Sequence, residues 1–95
     1  MHYVLARITV QPEAADTARQ LLTALAAQSR QEAGCVSYEL YQQAAAPYAF
    51  QTVEHWKDEA AAIAHMTTPH VCAAIAVAGP LFAAPPEILA YNKVV

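Results

Sequence analysis

The side chains able to move a proton or hold an electron-rich ring are crowded into one stretch, Phe50 to His70. It contains the only tryptophan, Trp56, three of the four histidines, His55, His65 and His70, and a carboxylate, Glu54, two positions before the tryptophan. Imidazole titrates near neutral pH, so His65 is the candidate general base. Trp56 can stack on an aromatic ring and donate its indole N–H. Glu54 can orient a histidine, or pair with Arg7 if their strands are neighbours. Arg7, Tyr38, Thr52 and His70 are the candidate substrate-binding groups. Such a set could carry general acid–base chemistry in a dry aromatic pocket. Structural roles compete at each position: Trp56 can fill the gap between a sheet and its helices, His65 can complement a helix dipole, and His70 can pack at the surface.

Other chemistries find little support. His55, His65 and His70 show no HExxH or His-x-His spacing, and His55 has the opposite strand parity from Glu54 and Trp56, so no metal is expected. Cys35 and Cys72 form no CxxC pair and predict two buried free thiols in a reducing compartment. With Gly34 and Gly79 the only glycines, no Gly-rich phosphate loop exists. The formal net charge is −3, and five Lys and Arg residues scattered from Arg7 to Lys93 make no basic stripe, which argues against nucleic-acid binding. No export signal is visible at the N-terminus, and the uncharged run Ala60 to Pro86 is cut at Thr67–His70 and Gly79–Pro80 into pieces shorter than the ~20 residues of a membrane span. The expectation is a cytoplasmic protein.

The elements that must position these groups follow from periodicity. His2 to Val10 is a β-branched and aromatic strand with neither face cleanly polar, as expected of a strand covered on both sides, with a polar pocket near Arg7 and Thr9. Glu13 to Ala33 changes to a helical period, with Ala14, Ala18, Leu21, Leu22 and Leu25 in one stripe and Gly34 as a C′ residue. Val36–Gln43 and Tyr48–Trp56 form an antiparallel hairpin. Tyr38 and Tyr41 lie on opposite faces there, so they cannot both line one pocket, whereas Thr52, Glu54 and Trp56 share one face. Asp58 and Glu59 open a helix through Met66, Thr68-Pro69 caps a second that stops at Gly79-Pro80, and Glu87 to Val94 is the last strand.

Strand, helix, strand, strand, helix pair, strand is the order of a ferredoxin-like split βαβ domain. The predicted fold class is α+β, a four-stranded antiparallel sheet with helices on one face, in a single domain spanning residues 1–95. The other sheet face includes Val53 and Tyr41. With 57% hydrophobic and 14% charged residues, that face predicts a homodimer built sheet to sheet.

Three runs carry a family likeness: Glu32-Ala-Gly-Cys-Val-Ser-Tyr-Glu-Leu-Tyr41, Glu54-His-Trp-Lys-Asp-Glu59 and Ala64-His-Met-Thr-Thr-Pro-His70. With the Pro86-Glu87 strand start, they make the whole chain resemble the antibiotic biosynthesis monooxygenase domain family. The resemblance implies a dimeric α/β barrel of ferredoxin-like subunits. Among the activities it implies are quinol and polyketide monooxygenases that need neither metal nor flavin, an isomerase and haem-degrading enzymes. The residues matching the haem-degrading pattern are Arg7, His65 and Ile75, so its asparagine, tryptophan and histidine are not kept. Of the polyketide oxygenase set Trp56 matches, and its other partners fall on Thr52, Ala62 and Ala76. The expectation is a cofactor-independent monooxygenase that takes a small quinol or polyphenol-like aromatic and dioxygen. An isomerase of a small carbonyl metabolite and a non-catalytic ligand-binding or assembly dimer are the alternatives.

Overall fold

A computed structural model describes all residues, Met1–Val95. Four strands, β1 (His2–Thr9), β2 (Cys35–Gln42), β3 (Ala49–Trp56) and β4 (Glu87–Tyr91), form one antiparallel sheet in the order β2-β3-β1-β4. Three helices, α1 (Ala15–Ser29), α2 (Glu59–His65) and α3 (Pro69–Ala78), cover one face, with short 3-10 turns at Pro12–Ala14 and Gly79–Leu81. The predicted ferredoxin-like α+β plan is the observed one.

The alternation along β1 decides which face meets the helices. Val4, Ala6 and Ile8 are buried, while Tyr3, Leu5, Arg7 and Thr9 point to the other side. Ile8, Val10, Ala18, Leu22, Leu25, Phe50 and Val71 form one core between sheet, α1 and α3. A second core, Val4, Ala26, Tyr38, Trp56 and Ala62, lies towards α2. Positions 18, 22, 25 and 29 of α1 are all buried, the repeat of a helix that packs one stripe.

Local chemistry sets the α2 and α3 boundaries. The Asp58 carboxylate accepts from the Ala61 N–H at 2.8 Å, and the Thr68 hydroxyl accepts from the Val71 N–H at 3.4 Å, with Pro69 at the first helical position. No single helix is long and apolar enough to cross a membrane; α2 and the α3 segment pass by composition only as a pair, and they are bent by 52°.

The structure corrects three expectations. Gly34 is not a left-handed C′ cap, since no glycine has positive φ. Its need is steric: a Cβ at Gly34 would overlap the Cβ of Ala61. α1 ends at Ser29, and a turn carries the chain to β2. The face of β1 bearing Arg7 and Thr9 has no helix over it, and both residues line the expected polar pocket there with Gln43, Tyr48 and Glu87, on the side of the sheet away from His65. Both thiols are free, but neither is fully buried: Cys35 is half-buried, and Cys72 is exposed because α3 turns Val71 inward and Cys72 away.

Candidate active site

The pleat of β3 places Thr52, Glu54 and Trp56 on the helix-covered face, at 1%, 4% and 0% exposure. Residues two apart on a strand stack along one face, and here they bond one another. The Thr52 hydroxyl donates to Glu54 Oε2 at 2.6 Å, and the Trp56 indole N–H donates to Glu54 Oε1 at 3.1 Å. The Ala6 N–H in turn donates to the Thr52 hydroxyl at 3.1 Å. Each carboxylate oxygen thus receives a neutral donor, which meets the requirement that a buried acid be hydrogen-bonded. The Glu54–Arg7 ion pair considered from sequence does not form. Arg7 sits opposite Gln51 and Glu87 in the sheet register, on the other face, and is exposed.

His65 is the last residue of α2 and is 4% exposed. Its Nδ1 lies 2.6 Å from Glu32 Oε2, and the same oxygen lies 2.7 Å from His70 Nε2. A carboxylate oxygen only accepts, so the geometry assigns N–H to Nδ1 of His65 and to Nε2 of His70. The free lone pair of His65 is then on Nε2. The His65 ring also leans on Trp56, with centroids 4.7 Å apart and planes tilted by 38°, and it lies 5.7 Å from Tyr38. Trp56, fully buried with its N–H committed to Glu54, is a backing for His65 and lines no part of the cavity described below.

That cavity is a half-open cleft between the sheet, α1 and α3, with about 630 Å³ of space when the open solvent at its mouth is included. Its polar groups are Tyr38, Thr52, Glu54 and His65. The remaining wall is nearly all apolar, including Ile8, Leu22, Leu25, Val71, Ile75, Phe82 and Ile88. Of the seven residues singled out by sequence, four therefore meet in one place. Trp56 stands behind them, His70 stands outside and reaches His65 through Glu32, and Arg7 is on the opposite face.

Burial, then the charges of Glu54, Cys35 and Glu32, push the Tyr38 phenol far above the usual tyrosine range, so it enters any chemistry as an O–H donor. Burial, then the carboxylates of Glu32 and Glu54, raise the Cys35 thiol, which keeps it from acting as a thiolate at neutral pH. His55 takes no part in the site. It stacks on Tyr3 across the open face, with ring centroids 4.3 Å apart.

Glu32 is the residue that sequence reasoning missed. It begins one of the runs that carry the family likeness, yet it sits 33 residues before His65, and no spacing rule connects a turn residue to a distant helix end. The far wall of the cavity, Phe82, Pro86 and Ile88, was likewise invisible, because it is brought in by the segment after α3 and the last strand it leads into.

With this geometry in hand, comparison with known proteins is informative. A family model described as antibiotic biosynthesis monooxygenase matches residues 1–77. The chain belongs to this family. A solved antibiotic biosynthesis monooxygenase superposes with a TM-score of 0.94 over 100% of both chains at 27% identity. A protein from Pseudomonas aeruginosa is similar at 31% identity and a TM-score of 0.91, over 99% of this chain and 94% of its own. A protein from Mycobacterium tuberculosis is similar at 29% identity and a TM-score of 0.90, over 99% and 95%. No curated protein matches. The matched span 1–77 includes Glu32, Tyr38, Thr52, Glu54, Trp56, His65 and His70. The cavity wall at Phe82 to Ile88 lies beyond it.

Proposed function

We propose that this protein is a cofactor-independent monooxygenase that oxidises a quinol or polyphenol-like aromatic in the cavity between sheet and helices. Membership of the antibiotic biosynthesis monooxygenase family supports a monooxygenase-like activity. The observation that carries the finer reading is the His65–Glu32 contact of 2.6 Å in the wall of an apolar cavity. Glu32 fixes the tautomer and leaves Nε2 as the base, the arrangement used wherever a histidine must collect a proton. The Tyr38 O–H is a donor for the oxyanion that remains.

The steps balance without an outside reductant. His65 Nε2 takes a phenolic proton from the substrate, and the resulting anion passes one electron to dioxygen. The radical pair joins at a ring carbon bearing hydrogen to give a peroxide. Loss of water, one oxygen atom and two hydrogens, leaves a new ring carbonyl. Two electrons of the C–H bond and two of the ring system have reduced dioxygen, and His65 has returned its proton. The apolar wall keeps water from the peroxide stage.

The assembly is part of the proposal. Leu5, Val53, Tyr41, Leu89 and Tyr91 lie on the helix-free sheet face, and a second copy packed there would form the dimeric barrel. Light scattering tests it, with Leu5→Asp expected to shift the mass to that of a monomer.

For the chemistry, oxygen uptake is measured against a panel of reduced quinols and polyphenols in chelated, flavin-free buffer. His65→Ala should lose roughly 10²–10⁴-fold in turnover, the usual contribution of a positioned base. Undiminished turnover in that variant would sink the assignment. Conversion of a small carbonyl substrate without oxygen uptake would instead favour an isomerase using the same base.

A further inference from the structure

The contact that orients His65 has a second property. Glu32 Oε2, His65 Nδ1 and His70 Nε2 are three potential metal-ligand atoms within 4.8 Å of one another. They come from three separate elements: the turn before β2, the last residue of α2 and the first turn of α3. We propose that Glu32, His65 and His70 form a reversible site for a divalent transition-metal ion of the zinc type, and that occupancy disables the His65 base. The second half rests on the monooxygenase reading above; the site itself does not.

Two imidazoles and a carboxylate are a donor set that suits Zn²⁺ and its first-row neighbours, whereas Mg²⁺ and Ca²⁺ prefer oxygen alone. Tetrahedral bonds of about 2.0–2.1 Å hold ligand atoms roughly 3.3 Å apart. The present separations of 2.6 and 2.7 Å from the Glu32 oxygen are hydrogen-bond lengths. To admit an ion Glu32 must therefore withdraw by less than about 1 Å, and the two imidazole nitrogens, which lie within 4.8 Å of one another, must close to roughly 3.3 Å. It sits in a turn with its side chain 15% exposed, beside a His70 side chain that is 18% exposed, so the carboxylate can move and the ion has a path from solvent.

The chemical consequence follows from the tautomers. Without metal, Nδ1 of His65 carries hydrogen and Nε2 carries the lone pair. A metal on Nδ1 needs the lone pair there, and the neutral ring then holds its hydrogen on Nε2. The cavity would meet an N–H donor where it had met a base. A bound ion therefore competes with catalysis by relocating one proton, without entering the cavity.

The test uses untagged, full-length protein freed of metal with a chelator and titrated with Zn²⁺ alone. Calorimetry should read one ion per chain. Long-range proton–nitrogen NMR of the imidazoles should show His65 change from Nδ1–H to Nε2–H. Glu32→Gln and His70→Gln, checked by circular dichroism for folding, should each weaken Zn²⁺ binding by more than the roughly 10–100-fold that loss of a group behind a ligand costs. Cys72→Ser should leave binding unchanged. Oxygen uptake should fall in step with Zn²⁺ occupancy. Absent saturable binding, binding indifferent to both variants, or binding lost in Cys72→Ser would overturn the site. Should either variant misfold, the wild-type spectra decide: His65 and His70 nitrogen signals unmoved by Zn²⁺ overturn it equally. Zinc bound with the tautomer changed but turnover undiminished overturns the switch and the His65 base together. Turnover that depends on His65 in a protein that does not bind Zn²⁺ overturns the metal site and leaves the base standing.

Discussion

Glu54 and Glu32 both serve the neighbourhood of His65, and they are held in opposite ways. Glu54 lies in the middle of a strand and bonds to its own neighbours two residues either side, Thr52 and Trp56. Its partners are buried and its position is fixed by the pleat. Glu32 lies in a turn, partly exposed, and bonds to His65 and His70, which are 33 and 38 residues away. The strand carboxylate is a piece of the core that happens to reach the cavity. The turn carboxylate orients a histidine and ties the turn to the end of α2 and the start of α3. Loss of the first should therefore be read mainly in stability, and loss of the second mainly in turnover.

The largest effect tests the buried side of that contrast. Trp56→Ala removes the fully buried ring that backs His65 and should cost about 3–5 kcal/mol in urea unfolding. A loss under about 1 kcal/mol would mean that the second core is far looser than its burial implies.

Glu54→Ala comes next. It leaves the Thr52 hydroxyl and the Trp56 indole N–H buried without their acceptor, at about 1–3 kcal/mol for each unsatisfied group. Glu54→Gln retains one acceptor oxygen and should cost less. If both variants unfold at the wild-type urea midpoint, the carboxylate is not the hub its contacts describe.

Glu32→Gln should behave differently. Its turnover should fall roughly 10–100-fold, as when a group that orients a functional histidine is removed, while its urea midpoint stays near that of the wild type. A variant that loses stability and keeps full turnover would reverse the comparison.

The smallest effect is in pH dependence. Tyr38 is a buried phenol raised by burial and then by the Glu54 charge. A raised pKa in the fold means that its contribution to stability is fully present below the unfolded value of about 10 and is lost as pH rises from there towards the folded value. Stability measured at about pH 9 and at about pH 11 should therefore drop more in wild type than in Tyr38→Phe. An equal drop in the two proteins would remove Tyr38 from the alkaline transition.

These contrasts also separate what could be read in the chain from what could not. Regular local patterns were legible. The i, i+2 spacing of Thr52, Glu54 and Trp56 placed them on one strand face, and Thr68-Pro69 marked the start of α3, because both depend on bonds within a few residues. Arg7 was grouped with residues of the opposite face because β1 carries apolar groups on both faces, and alternation alone does not say which of two mixed faces the helices cover. Gly34 was read as a backbone cap when its constraint is the approach of Ala61, a contact across 27 positions of sequence that no local rule reports.

By itself the sequence determined the element order, the parity of β3 and the presence of an imidazole where a base is needed, since periodicity and capping are short-range effects. The tertiary structure alone decided that Glu32 meets both His65 and His70, that Trp56 spends its N–H on Glu54, and that Phe82 and Ile88 close the cavity. Those contacts arise only after sheet pairing and helix packing have brought distant segments to within hydrogen-bond or van der Waals distance. A linear spacing carries no record of that distance.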